Sequence, residues 1–77
     1  MINYMLNEKR NTIGYRIKEL RTEKHISQSQ LGEMLGVSQD TVSLWEKSKS
    51  LPSVDIIIKL SEIFSVSCDY LLGVNDF

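Results

Sequence analysis

From Thr12 to Gly73 the apolar positions recur at spacings of three and four residues. That is the period of an α-helix, and no stretch alternates at the period of two that a half-buried strand requires. The pattern breaks into five segments, four of them preceded by a side chain able to cap a helix. Asn11 or Thr12 opens the first, predicted over about 12–24, with Ile13, Ile17 and Leu20 as its buried stripe. Lys24-His25 closes it, histidine being among the residues that enter left-handed backbone. Ser27 opens the second, over 28–35, where Ser27-x-x-Gln30 reads as a capping box. Leu31, Met34 and Leu35 form its apolar face and Gly36 stops it. Ser38 caps a third helix over about 39–47, with Val42 and Trp45 turned inward. A loop from Ser48 to Ser53 holds the only proline, Pro52. The fourth helix, about 53–64, offers Val54, Ile57, Ile58, Leu60 and Phe64 to the core. Ser67 caps a short fifth over Cys68 to Leu72, which Gly73 terminates. Residues 1–11 read as an N-terminal extension, with Tyr4, Met5 and Leu6 before a polar lead-in, and 74–77 as a C-terminal tail. The expected fold is one all-α domain at residues 12–73, an orthogonal bundle of five short helices.

Size and residue chemistry narrow the function. A chain of 77 residues makes one domain, and a core this small leans on close packing or association. Cys68 is the only cysteine and His25 the only histidine, which excludes an internal disulfide and a Cys/His metal cluster. The thiol lies in a helical apolar pattern and is expected to be buried and inert. There is no glycine-rich phosphate loop and no catalytic triad, so neither enzymatic activity nor a cofactor is expected. No apolar run approaches the roughly 20 residues that span a bilayer. Met1 to Leu6 is too short and uncharged for a signal peptide, and a cytoplasmic location follows as the expectation.

The net charge of −1 hides an asymmetry. Between Lys9 and Lys49 lie eight basic residues (Lys9, Arg10, Arg16, Lys18, Arg21, Lys24, Lys47, Lys49) and five acidic ones, a balance of +3. From Ser50 onward Lys59 faces Asp55, Glu62, Asp69 and Asp76, a balance of −3. Polyanion binding responds to the charge of one face, and a basic first half fits one such face.

The informative stretch is Gln28 to Trp45. Two short helices that cross steeply through a tight turn need a specific set of residues. Gly36 permits the turn, Gly32 lets the second helix approach the third, and Leu31, Leu35, Val37, Val42 and Trp45 close the angle. Gln28 and Ser38 stand at helix N-termini, where amides bind phosphate.

These residues, with Ile17-x-x-Leu20-Arg21, Ser27-Gln28-x-x-Leu31, Gly36-Val37-Ser38, Val42-x-x-Trp45-Glu46, Pro52 and Val66-Ser67-x-Asp69-Tyr70-Leu71-Leu72-Gly73, resemble the phage-repressor (Cro-like, Xre) helix-turn-helix family. The resemblance covers about Ile13 to Gly73. It implies a lambda-repressor-like DNA-binding domain whose third helix enters the major groove. On that footing Gln39, Asp40, Thr41, Ser43 and Leu44 are the base-contact candidates. Gln39 suits adenine N6/N7, Thr41 or Leu44 a thymine methyl, and Asp40 cytosine N4. Asp40 also repels phosphate. Gln28, Ser38, Lys47, Lys49 and Arg21 resemble phosphate contacts, and Arg21 with Glu46 resembles an internal ion pair. The chain departs from the family where Ser48 and Ser65 replace glycines, Gly32 replaces alanine and Cys68 replaces an apolar residue.

The implied function is a transcriptional regulator that binds double-stranded DNA, a repressor acting as a homodimer on a palindromic operator. Ile56, Ile63, Tyr70, Val74 and Phe77 are expected to form an exposed apolar surface for the second copy. A two-fold dimer of this kind sets its recognition helices about 34 Å apart. The alternative is an antitoxin or other protein-interaction module that binds DNA secondarily. Near-neutral charge, Asp40 and apolar residues at both chain ends favour it.

Overall fold

The computed structural model describes residues 12–74, and all five described helices open in the same way. The helices are α1 (Ile13–Glu23), α2 (Gln28–Leu35), α3 (Gln39–Glu46), α4 (Val54–Phe64) and α5 (Cys68–Leu71). No strand occurs among the described residues. A hydroxyl caps each helix. Thr12, Ser27, Ser38, Ser53 and Ser67 accept from the backbone N–H of Tyr15, Gln30, Thr41, Ile56 and Tyr70, respectively. At α2 the box is complete, because the Ser27 amide donates in turn to Gln30 Oε1 at 2.8 Å. Each cap satisfies an amide that has no partner within its helix, a contribution of about 1 kcal/mol apiece.

The helices also close in one way. His25, Gly36, Ser48, Ser65 and Gly73 all carry a positive φ. Across each of them the next amide reaches back five residues: Ile26 to Arg21, Val37 to Gly32, Lys49 to Leu44, Val66 to Ser61 and Val74 to Asp69, at 2.8–3.0 Å. This is the Schellman closure, which satisfies carbonyls left over at a helix end. Four of the five residues after the left-handed position are β-branched and apolar; Lys49 is the exception.

Ile13, Ile17, Leu20, Leu31, Leu35, Val42, Trp45, Leu60, Phe64 and Leu71 form one core. Around it α3 packs against α1 and α2, α5 against α1 and α4, and α2 against α4. The all-α five-helix architecture agrees with the sequence reading, with corrections at several side chains. Met34, Val54 and Ile58, read as core residues, are exposed, Val54 at 72%. On α2 the buried arc is Leu31, Gly32 and Leu35, because the Gly32 backbone draws the helix onto the following turn and leaves Met34 on the flank. On α4 the inward arc is Ile56, Ile57, Leu60, Ile63 and Phe64, a wide stripe of period 3.6. Ile56, Ile63 and Tyr70 are therefore half-buried against the core and do not form the exposed patch expected of them. Val74 is exposed, and Phe77 lies outside the described residues, as does the extension at 1–11. Cys68 is half-buried.

Arg16 is the largest departure. The sequence counts it with the basic residues of the first half, yet flanked by Tyr15 and Ile17 it is only 5% exposed. Its Nη1 donates to the Tyr70 carbonyl at 2.9 Å and its guanidinium lies 4.2 Å from the centre of the Tyr70 ring. A buried cation thus ties α5 to α1.

No helix of the described residues is long and apolar enough to cross a membrane.

Candidate nucleic-acid interface

The exposed face of α3 is set by what its other face must bury. Val42 and Trp45, three residues apart, are turned into the core. Gln39 and Ser43, and Asp40 and Leu44, are then stacked pairs four residues apart on the outward side. Gln39, Asp40 and Leu44 are exposed and Ser43 is half-exposed. Thr41 falls on the flank. Its amide donates to Ser38 Oγ at 3.1 Å and its hydroxyl lies 2.9 Å from the same oxygen, so its polar end is engaged in the cap.

Two close backbone approaches fix the tilt of α3. A Cβ on Gly32 would come within 2.7 Å of the Val37 carbonyl oxygen, in the turn that leads into the helix. A Cβ on Gly14 would collide with the carbonyl of Trp45 at the other end. The Gly14 contact has no signature in the hydrophobic pattern. Its only sequence trace is a glycine in the first turn of the helix, right after the Thr12 cap and Ile13.

Beside these contacts runs a polar chain from the interior to the surface. Arg21 Nε donates to Glu46 Oε2 at 2.6 Å, Nη2 to Oε1 at 3.0 Å, and Nη1 to the Ile26 carbonyl at 2.9 Å. The two side chains are 12% and 4% exposed. The hydrogen bonds to Glu46, against a desolvation cost and with added Coulombic attraction, raise the Arg21 guanidinium above its already high ordinary value. With three of its five N–H groups engaged in this way, Arg21 braces α1 against the end of α3. Gln28 Nε2 donates to Glu46 Oε1 at 2.9 Å, and Gln39 Nε2 donates to Gln28 Oε1 at 3.3 Å. Sequence spacing gave no hint that Glu46, Gln28 and Gln39 are linked, because they come from two helices and opposite ends of one of them.

Lys47 and Lys49 follow α3 in a loop that turns through left-handed Ser48, and both are exposed. Ser38 lies at the opposite end of α3 and Gln28 at the start of α2. The candidate surface thus holds an amide pair, one carboxylate (Asp40), one apolar side chain (Leu44) and two lysines. Among the described residues no group of three His, Cys, Asp or Glu side chains is placed to hold a metal.

Comparison with known proteins places this geometry. The helix-turn-helix family profile matches residues 17–71. The chain is 40% identical over 58 residues to the HTH-type transcriptional activator BcrR of Enterococcus faecalis, covering 75% of this chain and 28% of that protein. It is 40% identical over 60 residues to the repressor protein C2 of Salmonella phage P22, covering 78% of this chain and 28% of the relative. The chain therefore spans little more than a quarter of the length of these two relatives. Among solved structures, the P22 c2 repressor in complex with synthetic operator 9T superposes with a TM-score of 0.77 at 38% identity, over 83% of this chain and 97% of that one.

Proposed function

This chain belongs to the helix-turn-helix family, and on that premise we propose that it binds double-stranded DNA sequence-specifically and regulates transcription as a homodimeric repressor on a palindromic operator. The observation that carries the reading is the outward face of α3. Gln39, Asp40, Ser43 and Leu44 share it, clear of the core, with Lys47 and Lys49 just beyond. A helix presented this way fits the major groove. Gln39 is suited to adenine, Leu44 to a thymine methyl and Asp40 to cytosine N4. Thr41 contributes its methyl group from the flank. Gln28, Ser38, Lys47 and Lys49 hold phosphates, and Arg21 supports them from behind. The solved likeness to a repressor bound to its operator supports the same docking.

The second copy attaches through α4. Val54 and Ile58 are stacked four residues apart on its outer side, and Leu51 precedes them at 78% exposed. These three replace the half-buried Ile56, Ile63 and Tyr70 as the dimer surface, and Val74 is a further exposed apolar residue.

The test is a selection of bound duplexes from a genomic pool, repeated with Gln39→Ala. An enriched palindrome that loses preference at one base pair per half-site in the variant supports the reading; no enrichment at low salt overturns it. With two lysines per protomer on phosphates, the slope of log K against log salt should be about −4 for the dimer. Asp40 and the exposed apolar residues favour a second reading, an antitoxin-like protein-interaction module. Its binding to a partner would respond weakly to salt.

A further inference from the structure

The amide of Gln28 is held between a carboxylate and another amide, and that placement fixes its direction. Glu46 is paired with Arg21 and has only acceptors to offer, so the NH2 end of Gln28 must face it. The carbonyl end of Gln28 is then left toward Gln39, which must answer with its own NH2 group. Each amide is oriented by the one before it, and the sequence starts at a carboxylate that is 4% exposed and little disturbed by water. What Gln39 presents outward is one remaining N–H beside a carbonyl oxygen. That donor–acceptor pair complements the N7 acceptor and N6 donor on the major-groove edge of adenine. A free glutamine turns over about its last bond and presents the reversed pair as readily. One held by Gln28 does not.

We propose that Glu46 is a positioning residue for base recognition: acting through Gln28, its carboxylate sets which end of the Gln39 amide donates and which accepts. The inference rests on the reading of α3 as the base-contacting helix and adds a specificity role to a residue that otherwise only braces the fold. It also separates two effects of the Arg21–Glu46 pair, since Oε2 receives only the arginine while Oε1 is shared with Gln28.

The experiment measures the base preference at every operator position for wild type, Gln39→Ala, Gln28→Met and Glu46→Gln. At the base pair whose preference disappears in Gln39→Ala, Gln28→Met and Glu46→Gln should each cut the advantage of adenine by about fivefold or more, within the range of one bidentate contact. Preferences elsewhere should hold, although overall affinity falls. Glu46→Gln also strips Arg21 of its partner and endangers folding, so Gln28→Met, which leaves the ion pair in place, serves as the second variant. Wild-type preference at that position in Gln28→Met, or an equal loss at all positions, overturns the proposal. In the free protein, NMR order parameters of the Gln39 side-chain amide should drop in Gln28→Met and Glu46→Gln while the α3 backbone stays rigid; unchanged side-chain order also overturns it. If Gln39→Ala leaves every preference intact, the base-contact reading of Gln39 fails on its own, and the order parameters still decide whether Glu46 and Gln28 hold that amide.

Discussion

The crossing of α1 with α3 and the packing of α4 with α5 are made from different materials. At the first, backbone meets backbone at Gly14 and Trp45, and a nearly buried ion pair joins Arg21 to Glu46. Both contacts are directional and neither has room to spare. At the second, apolar side chains outnumber the positions available to bury them. Leu60, Phe64 and Leu71 are buried, Ile56, Ile57 and Ile63 are half-covered, and Val54, Ile58 and Leu72 remain exposed. The difference follows from what each region positions. On the proposed function the angle of α3 decides whether its outer face meets a groove, and it is held by contacts that tolerate little change of volume. The α4–α5 end needs only enough burial to stay closed, and its surplus is free for another surface.

Breaking the first region should therefore cost more than breaking the second. Arg21→Ala leaves the Glu46 carboxylate covered and short of its cation, and should lower unfolding free energy by about 3 kcal/mol in urea titration. Because arginine stays protonated throughout the working range, and more firmly so beside Glu46, that pair should not weaken as pH rises to 10. Its contribution is present below the ordinary arginine value and lost only above the raised one. Gly14→Ala should cost about 2 kcal/mol through overpacking, with amide shifts concentrated at Trp45 and Glu46 in NMR spectra. Arg16→Ala, which frees α5, should cost about 1.5 kcal/mol, and hydrogen exchange should accelerate in α5 before it does in α3. Ser48→Gly and Ser65→Gly should each stabilise by about 0.5 kcal/mol, since glycine relieves the left-handed strain but enlarges the unfolded ensemble. Val54→Gln should change thermal stability of the monomer by less than about 0.5 kcal/mol. A larger loss there would show that α4 buries this face within the single chain and would erase the contrast.

The two regions also differ in how far the sequence discloses them. Three helix starts were legible in the capping residue itself, at Ser27, Ser38 and Ser67, and the Ser27-x-x-Gln30 box is local to four residues; at the fourth helix the cap, Ser53, was read as part of the helix. Helix ends were legible at Gly36 and Gly73 and harder at His25, Ser48 and Ser65. The signal common to most of them was the β-branched residue that follows, as in His25-Ile26 and Ser65-Val66. The outward face of α3 could be derived from Val42 and Trp45 alone. What escaped was set by the identity of the neighbouring element. Arg16 is held by Tyr70 of α5, an element 54 residues away in sequence, and Met34 stays exposed among the described residues. On α4, where almost every position is apolar, periodicity could not tell the inner arc from the outer one, and Ile56 and Val54 exchanged roles.

The five hydroxyl caps have a consequence for anyone who would redesign the domain. A common way to strengthen a small helical protein is to replace serine caps by aspartate, which adds a charge that the positive end of the helix favours. At Ser53 and Ser67 the exchange should be harmless. On the proposed function, at Ser38, and at Ser27 beside Gln28, it would offset the field that the first turns of α3 and α2 project outward and set an anion near the proposed phosphate contacts. A neutral oxygen satisfies the same amide and leaves that field intact, so thermostability and DNA affinity are expected to move in opposite directions at these two serines.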